Sequence, residues 1–246
     1  MEKQLEKKVV IDVEDLYKIY RVGEEKVRAL DGVSFKVFEG EFVAIVGTSG
    51  SGKSTLLNMM AGLEPPTKGH ISISGKKIEK LKENQLVSLR RKRVGFIFQS
   101  FNLIGSMNAE ENVALPLMFR GVSKETRIRK AREMLEVVGL SKHRKHIPTQ
   151  MSGGQQQRVG IARALVVNPS IIFADEPTGN LDSVTTSEIL DLLRELVNEQ
   201  GKTLVMVTHD KELADVADKV IHIKDGKITK IEIKKENIEN EKIEEV

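Results

Sequence analysis

Residues 47–55 read GTSGSGKST, three glycines, five hydroxyl residues and a lysine placed directly after the apolar run FVAIV. Gly47 to Ser54 carry the spacing G-x-x-x-x-G-K-[ST] between a strand and a helix, the context in which that spacing cradles phosphate. Glycine lets consecutive backbone N–H groups converge on an anion, and the helix opening near Lys53 adds its positive end. The stretch Gly47, Thr48, Ser49, Gly50, Ser51, Gly52, Lys53, Ser54 and Thr55 is therefore expected to bind the phosphates of a nucleotide. Lys53 should reach the β- and γ-phosphates, and the Ser54 hydroxyl should ligate Mg²⁺.

A second chemical group stands in SIIFADEPT, an apolar run ending in Asp175 and Glu176. An aspartate at the carboxyl end of a buried strand can hold Mg²⁺, directly or through water, where open α/β sheets bind their ligands. Glu176, one residue on, points differently and can polarise an attacking water as general base. No N-K-x-D occurs, so ATP is favoured over GTP.

These residues need a sheet to hold them. VVIDVEDLYKIY and VSFKVFEGEFVAIV are strand-like, and STLLNMMAGL is helical. HISISG, VGFIF, SIIFAD, TLVMVT, VIHI and KITKIEI follow as strands, with helices over ENQLVSLRRK, KETRIRKAREMLEVVGL, GGQQQRVGIARALVV and SEILDLLRELVNEQ. Alternating strands and helices predict an α/β fold with a mainly parallel core sheet, and the helical block at about 100–168 reads as an inserted subdomain. Residues 1–231 are expected as one domain and 232–246 as a charged, solvated tail.

Composition sets bounds. The 246 residues include 39 basic and 36 acidic ones for a net charge of +3, too balanced for general nucleic-acid affinity. The absence of cysteine excludes disulfides, zinc–thiolate sites and thiol catalysis. No apolar run has membrane-helix length and MEKQLEKKVV has no signal-peptide core, so a cytoplasmic protein is expected. The basic runs RRKR (90–93) and KHRKH (142–146) read as solvated faces, and His70, His143, His146 and His222 as surface or strand residues without a partner pattern.

Residues 151–165, MSGGQQQRVGIARAL, resemble the signature motif of the ATP-binding cassette (ABC) proteins, with Met151 in the place usually held by leucine. The resemblance runs from about Val9 to Lys230. It implies a P-loop ATPase fold with an N-terminal antiparallel β subdomain, and it assigns further residues. Tyr20 stands where an aromatic stacks on adenine, and Gln99 stands at the Q-loop, contacting Mg²⁺ or the water. Ser152, Gly153, Gly154 and Gln155 match the signature, Gly179-Asn180-Leu181-Asp182 the D-loop, and His209 the switch histidine. One nucleotide already has a P-loop, so the second anion site at Ser152 and Gly153 implies a head-to-tail dimer in which it caps the γ-phosphate held by the other chain.

FQSFNLI, NVALPL and DEPTGNLDS look most like the subfamily of lipoprotein-releasing, macrolide-exporting and antimicrobial-peptide-resistance systems, which includes a cell-division ATPase with a permease-like partner. An integral membrane permease is thus the implied partner, with the protein peripheral on the inner face of the membrane; mechanotransmission of the cell-division kind is the alternative. Nucleic-acid-linked members carry coiled-coil or zinc-bearing insertions, and neither occurs here. The chain departs from the subfamily at Ile104-Gly105-Ser106-Met107-Asn108, where a proline and a threonine are common and where a permease should dock.

Overall fold

A computed structural model of the chain describes residues 8–234. Strand β1 (Val9–Val22) turns at Gly23, whose φ is 63°, into β2 (Glu25–Phe38), its antiparallel partner. The five residues of β3 (Phe42–Val46) are all buried, as expected of a central strand covered on both faces. Helix α1 (Lys53–Met60) leads to β4 (Lys68–Ile73), which pairs with β1, and to the short β5 (Lys76–Lys77). Helix α2 (Glu83–Arg93) then delivers β6 (Val94–Ile97).

Three helices follow before the next strand: α3 (Ala109–Phe119), α4 (Lys124–Val137) and α5 (Gly153–Leu165). After them come β7 (Ile171–Asp175), α6 (Ser183–Gln200), β8 (Thr203–Thr208), α7 (Lys211–Ala214), β9 (Lys219–Lys224) and β10 (Lys227–Ile233). The strands make two sheets, one of order β2-β1-β4-β5 and one of order β10-β9-β3-β8-β7-β6. The first is antiparallel; the second is parallel except for β10.

The six-stranded sheet separates two cores, and strand alternation assigns residues to each. Phe42, Ala44, Val46, Leu204 and Met206 pack with α3–α6, whereas Val43, Ile45, Val205 and Val207 pack with α1 and the antiparallel sheet. Parallel register has a chemical consequence. Val46 lies opposite Thr208, Asp175 opposite Val207, and Ile97 opposite Ala174, so the carboxyl ends of β3, β8, β7 and β6 form one rim. Gly47, His209, Glu176 and Gln99 all follow that rim within two residues.

Several surface expectations need correction. Arg90 donates to the Gly62 carbonyl at 2.5 Å and pairs with Glu83 at 2.7 Å, while Arg91 donates to the Phe119 carbonyl and Lys145 to Glu110. These basic residues are partly structural because Phe119 closes α3 and Gly62 follows α1, where carbonyls lack helical partners. His70 lies 2.7 Å from Glu79 and His222 lies 2.8 Å from Glu232, carboxylates supplied by a turn and by a neighbouring strand. Strand β10 runs to Ile233, past the expected start of the tail, whose residues 235–246 lie outside the described residues.

Candidate nucleotide site

The loop between β3 and α1 is held from two sides. A Cβ on Gly47 would stand 2.2 Å from the Ile223 carbonyl of β9, and one on Gly52 would stand 2.0 Å from the Ala29 carbonyl of β2. Gly52 also has φ 88°, so both its backbone and its neighbours demand glycine. The Ser51 carbonyl accepts from Gly226 N–H at 3.0 Å. No side chain caps α1 and no acid stands in its first turn, which leaves its leading N–H groups for an anion. Lys53 is 7% exposed and folds back to donate to the Gly47 and Thr48 carbonyls at 3.0 and 3.2 Å. The ammonium is thereby poised over the loop that the phosphates would occupy.

Ser54 Oγ donates to Asp175 Oδ1 at 3.0 Å, joining the P-loop helix to the end of β7. Burial pushes the Asp175 carboxyl up; the Ser54 hydrogen bond and the Lys53 charge oppose this, while the Glu176 charge adds to it. A buried carboxylate destabilised in this way gains from a cation, and the two hard oxygens suit Mg²⁺. Among the described residues no cluster of three or more acidic, histidine or cysteine side chains could hold a metal ion alone. A donor set of one or two side chains fits an ion that takes its other ligands from phosphate and water.

Glu176 adopts φ 43°, uncommon for a residue with a side chain, and its N–H donates to the Val207 carbonyl at 2.9 Å. Its Oε1 lies 3.2 Å from His209 Nδ1. Gly179 closes the turn by donating to the Glu176 carbonyl at 3.1 Å. A Cβ placed on it would stand 2.8 Å from Gln99 Nε2 and 3.4 Å from Glu176 Oε2. The structure therefore brings Gln99, Glu176, Gly179 and His209 together, and Glu176, Gly179 and His209 line a cleft of about 500 Å³ that continues past Ser187 and Asp210.

Tyr20 reaches the same loop from β1. Its hydroxyl donates to Glu64 Oε2 at 2.8 Å, and Lys18 Nζ sits 5.1 Å from its ring centroid. Burial raises the Tyr20 hydroxyl, a hydrogen bond with Thr55 lowers it, and Glu64 raises it further.

The signature residues lie elsewhere. Ser152 caps α5: its Oγ accepts from Gln155 N–H at 3.3 Å, and Gln155 Oε1 accepts from Ser152 N–H at 3.1 Å. This reciprocal pair satisfies two N–H groups, and the first turn contains no acid. A Cβ on Gly154 would stand 2.5 Å from Thr185 Cγ2, and one on Gly153 would stand 3.5 Å from Leu181 Cδ2. Gly154 thus serves close packing on the start of α6, where Asp182 accepts from Thr185 N–H at 3.0 Å and is held low by it, whereas a Cβ on Gly153 would make only ordinary contact. The groups nearest Gly153 and Gly154 come from Phe101, Asn180, Leu181 and Thr185, none of them from residues 47–55.

Three residues escaped the sequence reading. Gln157 is fully buried and donates through Nε2 to the Pro177 carbonyl, tying α5 to the turn after Glu176. Its signal was a polar residue on the stripe Gln157, Gly160, Ile161, Ala164, which helical spacing turns inward. Arg163 donates to the Phe101 and Asn102 carbonyls, fixing two residues with φ 59° and 49° just beyond Gln99. Asn112, fully buried, accepts from Ile104 N–H and donates to the carbonyls of Ile104, Met107 and Asn108. The loop that departs from the subfamily pattern is pinned by this one side chain. His143 and His146, expected to lack partners, meet each other edge to face with centroids 5.1 Å apart, and His143 contacts Gln155.

Comparison with known proteins bears on the family and the fold. Residues 30–179 match the family model described as ABC transporter. An uncharacterized ABC transporter ATP-binding protein of Thermotoga maritima is 52% identical over 92% of this chain and 96% of its own length. The macrolide export ATP-binding/permease protein MacB of Syntrophobacter fumaroxidans is 48% identical over 89% of this chain, which spans only 31% of that protein's length. Among solved structures, the ATP-binding cassette MJ0796 as a post-hydrolysis dimer bound to ADP and Pi superposes with TM-score 0.85 at 46% identity, covering 91% of this chain and 98% of that one. MJ0796 is a Methanocaldococcus jannaschii protein. The antiparallel sheet, the largely parallel core sheet and the helices between β6 and β7 are the cassette fold that the motifs implied. The chain belongs to the ABC transporter family, as one of its ATP-binding cassettes.

Proposed function

We propose that this ABC ATPase closes head to tail with a second copy of itself around two ATP molecules and, in hydrolysing them, drives an integral membrane permease of the export type. The observation that carries the reading is the division of anion sites. Lys53, Ser54, Asp175, Glu176, Gln99 and His209 gather on one rim, while Ser152 and Gly153 open a second helix whose glycines contact none of the P-loop residues. A nucleotide on the first site is completed by the second site of a partner copy. The MJ0796 cassette was solved as a dimer bound to ADP and Pi, and the MacB of Syntrophobacter fumaroxidans, described as an ATP-binding/permease protein, contains a stretch 48% identical to this chain.

In this mechanism the loop N–H groups and Lys53 bind the β- and γ-phosphates, and Tyr20 packs against the adenine. Mg²⁺, held by Ser54 and Asp175 with Gln99 beside it, would offset phosphate charge when bound. Glu176 Oε accepts a proton from the water that attacks the γ-phosphorus; the bond to the bridging oxygen breaks, leaving ADP and inorganic phosphate. His209, 3.2 Å from Glu176, orients that carboxylate and reaches the γ-phosphate. Ser152, Gly153, Gly154 and Gln155 of the other copy cap it, with Asp182 fixing the adjoining turn. Because each ATP is part of the interface, binding closes the dimer and hydrolysis reopens it. Among the described residues no helix is long and apolar enough to cross a membrane, so the permease would supply the membrane position, at the inner face.

Glu176→Gln keeps shape and removes the base. With ATP it should sediment as a stable dimer and hydrolyse about 10²–10⁴-fold more slowly. A strictly monomeric variant at saturating ATP would refute the two-chain site.

A further inference from the structure

The loop before the signature contributes a contact that the site as described does not use. His143 ends a 3₁₀ turn (Ser141–His143), and its Nε2 lies 3.4 Å from Gln155 Nε2. Gln155 is the signature residue whose Oε1 is already committed to Ser152 N–H at 3.1 Å. That commitment settles the polarity of the contact. With Oε1 on Ser152, the amide NH₂ must face His143, and reversing the amide would set a donor against the Ser152 donor. His143 Nε2 is therefore an acceptor, with the proton on Nδ1. The ring is braced edge to face on His146 at 5.1 Å, and the Nδ1 atoms of both rings are buried without a hydrogen-bond partner among the described residues. Packing alone would be served better by an apolar ring, which would bury no orphaned nitrogen.

The surrounding loop is anchored in turn. The His146 carbonyl accepts from Ala109 N–H at 2.9 Å, and the Arg144 carbonyl accepts from Glu110 N–H at 3.0 Å. Glu110, with 4% of its side chain exposed, is paired with Arg132 at 3.0 Å and with Lys145. The acceptor offered to Gln155 is thus held by the start of α3, which follows the loop pinned by Asn112.

We infer that His143 is a positioning residue for the signature motif: by accepting from Gln155 Nε2 it fixes the amide that closes the Ser152 cap, and so keeps the first turn of α5 shaped for the γ-phosphate held by the partner copy. The inference rests on the two-chain reading given above. His143 touches no nucleotide; it acts through Gln155. Its loss should leave the chain's own P-loop unaffected and weaken only the step in which the second copy closes.

Two variants separate the acceptor from the packing, both placed in the Glu176→Gln parent. His143→Phe keeps a ring against His146 and removes the acceptor; His143→Gln restores an acceptor oxygen. The dimer dissociation constant with ATP is read by sedimentation velocity, and single-chain affinity by titrating a fluorescent ATP analogue at concentrations too low for dimerisation. His143→Phe should weaken the dimer about tenfold, the scale of a lost hydrogen bond repeated at two sites, with unchanged analogue affinity. His143→Gln should return the dimer to within about twofold of the parent on the same scale. A parent that stays monomeric overturns the two-chain reading and this inference with it. A parent that dimerises beside a His143→Phe variant that dimerises equally well overturns the inference alone, as does equal weakening by the Phe and Gln variants.

Discussion

Gly179→Ala tests whether Gln99 and Glu176 act as a placed pair. Gly179 has no left-handed backbone torsion, so alanine fits its conformation. The added Cβ would stand 2.8 Å from Gln99 Nε2, where ordinary contact begins at 3.4 Å, so the amide must retreat by roughly 0.6 Å. Gln99 Nε2 ends a flexible side chain and can move, so the stability change should stay within about 0.5 kcal/mol. The cost falls on geometry. Misplacement of a reacting group by about 1 Å costs on the order of 10²-fold in rate, so 0.6 Å predicts about tenfold, or about 1.4 kcal/mol in the barrier. Steady-state ATPase assays with thermal unfolding in parallel should show kcat down about tenfold, KM for ATP within about twofold and Tm nearly unchanged. An unchanged kcat would refute the placement of Gln99 against Glu176. A rise in KM alone would move Gly179 from the chemical step to binding.

Lys53→Ala removes a buried ammonium that donates to two loop carbonyls, and calorimetric titration should find ATP binding lost while the circular dichroism spectrum stays native; tight ATP binding would sink the phosphate assignment. Asn112→Ala strips the hydrogen bonds that one fully buried amide makes to loop 104–108, so urea unfolding should show about 2–4 kcal/mol of lost stability, and a loss below about 0.5 would contradict the pinning. Burial pushes the Glu110 carboxyl up, yet Arg132 and Lys145 outweigh it and hold the group below its ordinary value. A lowered folded value means stability present above the unfolded value and lost as pH falls through the folded one. Glu110→Gln should therefore be less stable than the parent near pH 7, with the gap closing below about pH 4.5; a gap independent of pH would show that charge plays no part.

The chemical residues were legible because phosphate chemistry constrains short stretches. Glycines, a lysine and a hydroxyl at fixed spacing have few other uses together, and an acidic pair ending an apolar strand beside them narrows the reading further. Strand and helix types were legible for a related reason: FVAIV and TLVMVT are too uniformly apolar for anything but covered strands. What stayed hidden depends on partners distant in the chain. His222 meets Glu232 only because β9 and β10 pair, and Arg91 finds Phe119 only because α2 ends beside α3. Gln157 lay in plain view among three glutamines, but only its helical phase, and then Pro177 across the core, separates it from its neighbours.

The amino-acid sequence by itself therefore determined the reaction class and the candidate phosphate-binding stretch, since those depend on local backbone freedom and on side-chain type. The tertiary structure decided which of the candidate residues lie together. Gly47, Gln99, Glu176 and His209 are spread over more than half the chain, and parallel register brings them to one rim. The same fold seats Gly153 and Gly154, no less suited to an anion, against Phe101, Asn180, Leu181 and Thr185 rather than beside residues 47–55. Spacing cannot reveal such a separation, because it is set by how the helices between β6 and β7 pack on the sheet.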